Sequence, residues 1–278
     1  MDRLSTVRKR LSQTPTIGSV LVFLYRFKTG FRSVVRPFSV FLLWLVKSRE
    51  YTNYTYDLEP RNKRHLAAFV AHVVGRPYTE VLGYIHEIEE DADLKATVAA
   101  GQSTKARGAN SEMPYGRRLG WYALMRALKP RVVVETGVDK GLGACVLTAA
   151  LRRNAMEGFE GRYVGTDIDP EAGYLLSGEY AQYGEILYGD SIESLGMLTE
   201  KIDIFINDSE HSADYEAREY AVIEDKLSDD ALLIGDNAHV TDCLMTFALE
   251  TNRQFLFFRE EPAGHWYDGA GIGVAFRQ

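Results

Sequence analysis

From Arg131 onward, short runs of β-branched and aromatic residues alternate with longer stretches whose apolar positions recur at helical spacing. The short runs predict strands at 131–136, 162–167, 185–188, 202–207, 231–236, 254–258 and 271–277. Helices are predicted near 143–153, 171–182, 191–199, 213–226 and 238–251. Alternation at this spacing builds a parallel sheet with helices on both faces. After the sixth strand the loop Glu260–Gly269 leads directly to the last, which predicts a closing antiparallel pair.

Upstream the pattern changes. Leu66, Phe69, Val70, Val73 and Val74 form an i, i+3, i+4, i+7, i+8 stripe, stopped by Gly75 and Pro77. A second helix, about Thr79 to Glu90, carries Leu82, Ile85 and Ile88 in the same way. Residues 101–116 are small and polar and predict a loop or lid. Leu119 to Leu128 predicts one more helix, closed by Pro130. The chain thus divides into an arm (1–50), a helical extension with its lid (51–114) and an α/β domain (115–278).

The arm holds two apolar runs, Ile17–Tyr25 and Phe38–Val46, separated by Arg26, Lys28, Arg32 and Arg36. Neither reaches the roughly 20 consecutive apolar residues that a spanning helix needs. Two readings remain open for it. One is an interfacial anchor on an anionic membrane; the other is a helix packed on the main domain or on a second subunit of a homo-oligomer. Charge bears on that choice: residues 1–50 hold ten Lys/Arg against two acids, and the rest hold 22 against 37. A basic arm seeks an anionic surface, and the acidic body argues against nucleic acid as a partner. Met1 begins no secretory pattern, and the cysteines, Cys145 and Cys243, lie in apolar helical patterns without metal-ligand spacing. Both facts predict a reducing, cytoplasmic setting.

Ligands of an open parallel sheet bind beyond the carboxyl ends of its strands. The first strand ends in Glu135 and the series Gly137, Gly141, Gly143. The second ends in Asp167, able to accept both hydroxyls of a ribose. The third ends in Gly189-Asp190-Ser191, which can cap the next helix or meet an adenine edge. The fourth ends in Asn207-Asp208, followed by His211, and the fifth in Asp236-Asn237, followed by His239. Five neighbouring ends bring polar or acidic groups to one rim. Candidate pocket residues outside these motifs are Tyr115, Arg117, His239, His265, Trp266 and Tyr267, and the tyrosine-rich link 51–57 is placed to border a pocket.

The order ETGVDKG, GTDIDP, YGDS, INDSEHSADY, IGDN resembles the Rossmann-like class I S-adenosylmethionine-dependent methyltransferases, most closely the branch of the catechol and macrolide-sugar O-methyltransferases. The resemblance covers about residues 115–278. It implies a doubly wound, mostly parallel seven-stranded sheet with an antiparallel last strand. It implies that Glu135, Gly137 and Gly141 cradle the methionine part of the cofactor, that Asp167 binds the ribose, and that Asp190 and Ser191 contact adenine. Asp208, Asp236 and Asn237 match the family's divalent-metal ligands, which implies Mg²⁺. His211 stands where catechol-type members carry a catalytic lysine. The implied activity is methylation of a hydroxyl on a small molecule, a sugar or a lipid-linked substrate, with Asp208 and His211 as catalytic groups. A metal-free route in which His211 alone activates the hydroxyl stays open. So do an oxidoreductase or hydroxylase on the same kind of sheet, whose nicotinamide version the G-x-x-x-G-x-G spacing opposes, and a non-catalytic, membrane-associated module.

Overall fold

The computed structural model describes residues 15–50, 54–105 and 113–277. The start of the arm, the first residues of the tyrosine-rich link and the middle of the expected lid lie outside them. The chain forms two compact units, one holding the first helix with Gly264–Trp266 and the other Arg49–Ala263 with Tyr267–Gln278.

In the first unit, α1 (Pro15–Lys47) is a single helix of 33 residues. One helix thus carries both apolar runs, each still shorter than a span by itself. Gly18–Lys47 is by length and composition able to cross a membrane. Arg26, Lys28 and Arg32 interrupt the apolar pattern without interrupting the helix, since long basic side chains have good helix propensity. Phe23, Phe27 and Phe31 stack along one face at i, i+4 spacing. Thr29, Ser33 and Ser39 return their hydroxyls to carbonyls one turn back. Phe23, Phe27, Phe31, Phe38, Leu42 and Leu45 are more than half exposed or nearly so. Trp44 meets His265 and Trp266 edge-on.

The second unit begins with α2 (Pro60–Val74), α3 (Tyr78–Glu90), α4 (Ala92–Lys105) and α5 (Arg118–Leu128). The predicted stripes are the buried faces: Leu66 and Val70 of α2, Ile85 and Ile88 of α3, and Trp121, Tyr122 and Leu124 of α5. Helix α4 runs to Lys105, into the stretch expected to be loop.

The sheet follows as β1 (Val132–Thr136), β2 (Arg162–Asp167), β3 (Gly184–Tyr188), β4 (Ile202–Asn207), β5 (Leu227–Asp236), β6 (Gln254–Arg259) and β7 (Gly271–Phe276). Its order is β3-β2-β1-β4-β5-β7-β6. β1 to β5 are parallel, and β7 runs antiparallel between β5 and β6. The helices are α6 (Leu142–Met156), α7 (Ser191–Met197), α8 (Ala213–Ile223) and α9 (Cys243–Glu250). β1 lies between β2 and β4, so the strand order reverses beside it, where such sheets open a ligand crevice.

One predicted helix is absent. Residues 171–182 are turns ending in a short 3₁₀ segment, Tyr180–Tyr183. Gly173 and Gly178 hold positive φ, which a helix does not allow. The backbone N–H groups of Gly173 and Leu175 donate instead to the carbonyls of Asp139 and Lys140 in the glycine loop.

Candidate active site

The glycine loop forms where β1 turns into α6. Gly137 has φ +80°, and a Cβ there would run into the carbonyl oxygen of Asp208, so the loop backbone lies directly on the end of β4. Gly141, at φ +93°, ends the loop with its α-carbon against Gly173, where a Cβ would come within 2.9 Å. Its part is to let two backbones touch.

Beside this loop lies a cavity of about 670 Å³. Gly137, Asp167, Asp190, Ser191 and Asp208 line it, together with Lys140, Tyr174, Ser209 and Tyr215. Asp167 is fixed by the N–H of Asp139 on one oxygen (2.8 Å) and that of Asp169 on the other (2.9 Å). Each oxygen keeps a second acceptor site for a ligand hydroxyl. Asp190 is the N-cap of α7, accepting from Ile192 N at 2.8 Å, so its capping role and its place on the cavity wall coexist. Ser191 Oγ bonds Tyr215 Oη at 2.9 Å and also Glu219.

Glu135 sits elsewhere. It is 1% exposed and accepts from Tyr163 Oη at 2.5 Å, behind the loop and outside the cavity lining. Burial pushes its carboxyl up to about 7, against the Tyr163 hydrogen bond and the Arg118 charge, which pull it down.

A second cavity, about 490 Å³, shares Asp139 and Lys140 with the first. Tyr54, Tyr56, Tyr115, Arg117, Arg118, His239 and Tyr267 are among its walls, with Asn237. Tyr115, Arg117, His239 and Tyr267 are thus brought together as the sequence suggested, whereas His265 and Trp266 belong to the first unit.

Between the cavities lies the β4/β5 rim. Asp208, His211 and Asp236 bring donor atoms within 4.8 Å of one another. His211 Nε2 lies 3.0 Å from Asn237 Nδ2 and 3.9 Å from Asp208 Oδ1. Its Nδ1 is buried without a hydrogen bond. Asn237 has φ +52° and turns the chain after β5.

Three charged residues here have roles that the strand-end reading does not assign. Arg117 donates from Nε and Nη2 to the two oxygens of Asp236, which is fully buried. Its Nη1 faces buried Glu260 at 3.6 Å. Glu260 in turn accepts from Tyr56 Oη at 3.0 Å and from Arg117 N at 3.2 Å. Burial alone would raise Asp236, yet the Arg117 guanidinium holds it below the usual carboxylate range. Burial and the Asp236 charge push Asp208 well above that range. Glu219, on α8, gathers Thr136, Ser191, Asn207 and Ser209 onto one buried carboxylate. A signal for it exists: Glu216, Glu219, Tyr220 and Ile223 fall on one buried helical stripe, and an acid on an apolar face needs partners.

Known proteins add the following. The family model described as a methyltransferase domain matches residues 134–238. That stretch is therefore similar to methyltransferase domains. No curated protein matches the chain. Among solved structures, a cofactor-bound protein from MTB is 17% identical with a TM-score of 0.53, covering 67% of this chain and 90% of that one. The O-methyltransferase TomG from Streptomyces achromogenes, in complex with SAM, is 17% identical with a TM-score of 0.50 over 67% of this chain and 90% of its own. An O-methyltransferase from Bacillus cereus in complex with SAH is 14% identical, TM-score 0.50, over 68% and 92%. At such identities these neighbours speak for the fold.

The residues present would fit S-adenosylmethionine: the cavity lies in the range of about 300–1,000 Å³ common for small-molecule sites, and acids line it at the second and third strand ends. They do not fit Mg²⁺. The spacing of Asp208, His211 and Asp236 would admit an ion, but both Asp236 oxygens are held by Arg117, and an ion there would face a guanidinium.

Proposed function

We propose that this methyltransferase moves the methyl group of S-adenosylmethionine onto a hydroxyl oxygen of a small molecule, sugar or lipid-linked substrate. The observation that carries this reading is the meeting of two cavities at Asp139–Lys140, with the polar rim Asp208–His211–Asn237 beside both. The first cavity takes the cofactor, with Asp167 on the ribose and Asp190 and Ser191 near adenine. The second takes the substrate, its tyrosines packing against a ring. When bound, the cofactor supplies an electrophilic methyl group on a sulfonium. The residues must then align the hydroxyl and remove its proton. His211 accepts that proton, with Asn237 orienting the ring.

Isothermal titration with S-adenosylmethionine tests the reading: wild type binds, Asp167→Ala loses about tenfold or more in affinity, and His211→Ala keeps affinity. Absence of binding by wild type would sink it.

Helix α1 supports a second statement about place. Its apolar side chains are exposed over a span long enough to cross or lie along a bilayer, with basic residues interspersed. We infer that it seats the enzyme on an anionic membrane. The full chain should co-sediment with anionic vesicles, and a Phe23→Glu/Leu42→Glu variant should not. Equal sedimentation of the two would refute the inference.

A further inference from the structure

The rim carries an excess of acid at the point where a hydroxyl must be activated. Asp208, Asp236 and Glu260 converge there, Asp236 and Glu260 with no exposed surface. Buried carboxylates need a cation or a proton. The cation in this structure is a side chain. Arg117 grips both oxygens of Asp236 through Nε and Nη2, and its Nη1 approaches Glu260. Arg118 stands by Asp208 at 3.7 Å.

A guanidinium has five N–H donors. Two of those of Arg117 are spent on Asp236. The contact of Nη1 with Glu260, at 3.6 Å, is an ion pair too long for a hydrogen bond. The edge formed by one N–H on Nη1 and one on Nη2 is therefore unspent, and Arg117 is among the walls of the second cavity. Its backbone is pinned as well, by the bond from Arg117 N to Glu260 at 3.2 Å. A cation held this firmly, with donors left over, is preorganised to bind an oxygen that gains negative charge.

Resting on the methyltransferase reading above, we propose that Arg117 is the fixed cation of the transfer site, holding the substrate oxygen in the place where a divalent metal would otherwise stand. The hydroxyl proton passes to His211. The oxygen lone pair forms the new C–O bond as the C–S bond breaks, and the S–C electron pair remains on the sulfur of S-adenosylhomocysteine. Charge balances without a metal, because the Arg117 guanidinium keeps its charge throughout and lies against the carboxylates of Asp236 and Glu260.

The test is Mn²⁺ binding, followed by the loss of the free-ion electron paramagnetic resonance signal, on the full chain with and without S-adenosylmethionine. Wild type is expected to leave the signal unchanged. Arg117→Ala and the milder Arg117→Gln free the Asp236 oxygens and are expected to take up one ion per chain, an uptake abolished by adding Asp236→Asn. Uptake by wild type that Asp236→Asn removes overturns the proposal. So does a variant that keeps cofactor affinity yet binds no Mn²⁺, because Arg117 would then occupy no ion's place. Should the Arg117 variants fail to fold, the wild-type result decides alone. Titration of the same samples with S-adenosylmethionine separates the two ideas: lost cofactor binding by wild type strikes the methyltransferase reading, whereas Mn²⁺ uptake with that binding intact strikes only this one.

Discussion

Glu219→Ala should destabilise the protein by roughly 3–5 kcal/mol, the cost of leaving buried donors without their acceptor. Its carboxylate accepts from Thr136 Oγ1 at 3.2 Å, from Ser209 Oγ at 2.8 Å, and from Asn207 and Ser191. Thr136 and Asn207 are fully buried at the ends of the two central strands, so water cannot replace the lost acceptor for them. Ser191 and Ser209 line the first cavity and can turn to solvent there, which limits their share. Glu219→Gln should cost less, because one oxygen remains and the hydroxyls can rotate to accept from the new amide. Chemical denaturation of the three proteins at one pH gives the order wild type, Gln, Ala. An alanine variant within about 1 kcal/mol of wild type would show that the hub is dispensable. The same contacts tie β1, β4 and α7 together under the cavity floor, so cofactor affinity should fall with stability.

The alternation of short apolar runs with helical stretches was enough to place all seven strands: β1, β2 and β4 are buried on both faces, a setting that few residues other than β-branched and aromatic ones suit, while the edge strands β3 and β6 are partly exposed yet keep the same residue types. The rim was equally legible, since strand ends in a parallel sheet fall on one side by topology. What failed has physical causes. A helix over 171–182 fits the apolar spacing, but Gly173 and Gly178 adopt left-handed backbone and the segment's N–H groups serve the glycine loop. Two apolar runs in the arm merge because arginine and lysine interrupt hydropathy without interrupting a helix, and Pro37 lies within it all the same. Buried charge was the hardest to foresee. Asp236 and Glu260 look like any surface acid until Arg117, more than a hundred residues away in sequence, folds onto them. Glu135 was expected on the cavity wall, and its place against Tyr163 depends on packing that no local pattern encodes.

That buried position of Glu135 gives the second large effect, a pH dependence whose sign is fixed by its environment. Burial raises the carboxyl from its ordinary value of 4.5 to about 7, with Tyr163 and Arg118 acting in the opposite direction. A folded-state pKa above the unfolded one means that folding favours the protonated form. The stabilisation is therefore complete below about pH 4.5 and is lost progressively as pH rises through about 7. A shift of this size corresponds to roughly 3 kcal/mol between the two limits. Glu135→Gln keeps the shape and an acceptor for the Tyr163 hydroxyl but cannot ionise. Relative to wild type, the variant should gain stability steadily as pH rises from 5 to 8, with most of the gain complete just above neutrality. Urea denaturation of both proteins across that range measures it. A difference between them that does not change with pH would mean that Glu135 titrates as a solvated carboxylate, and that the Tyr163 contact and the packing of Gly143 above it do not isolate the group from water.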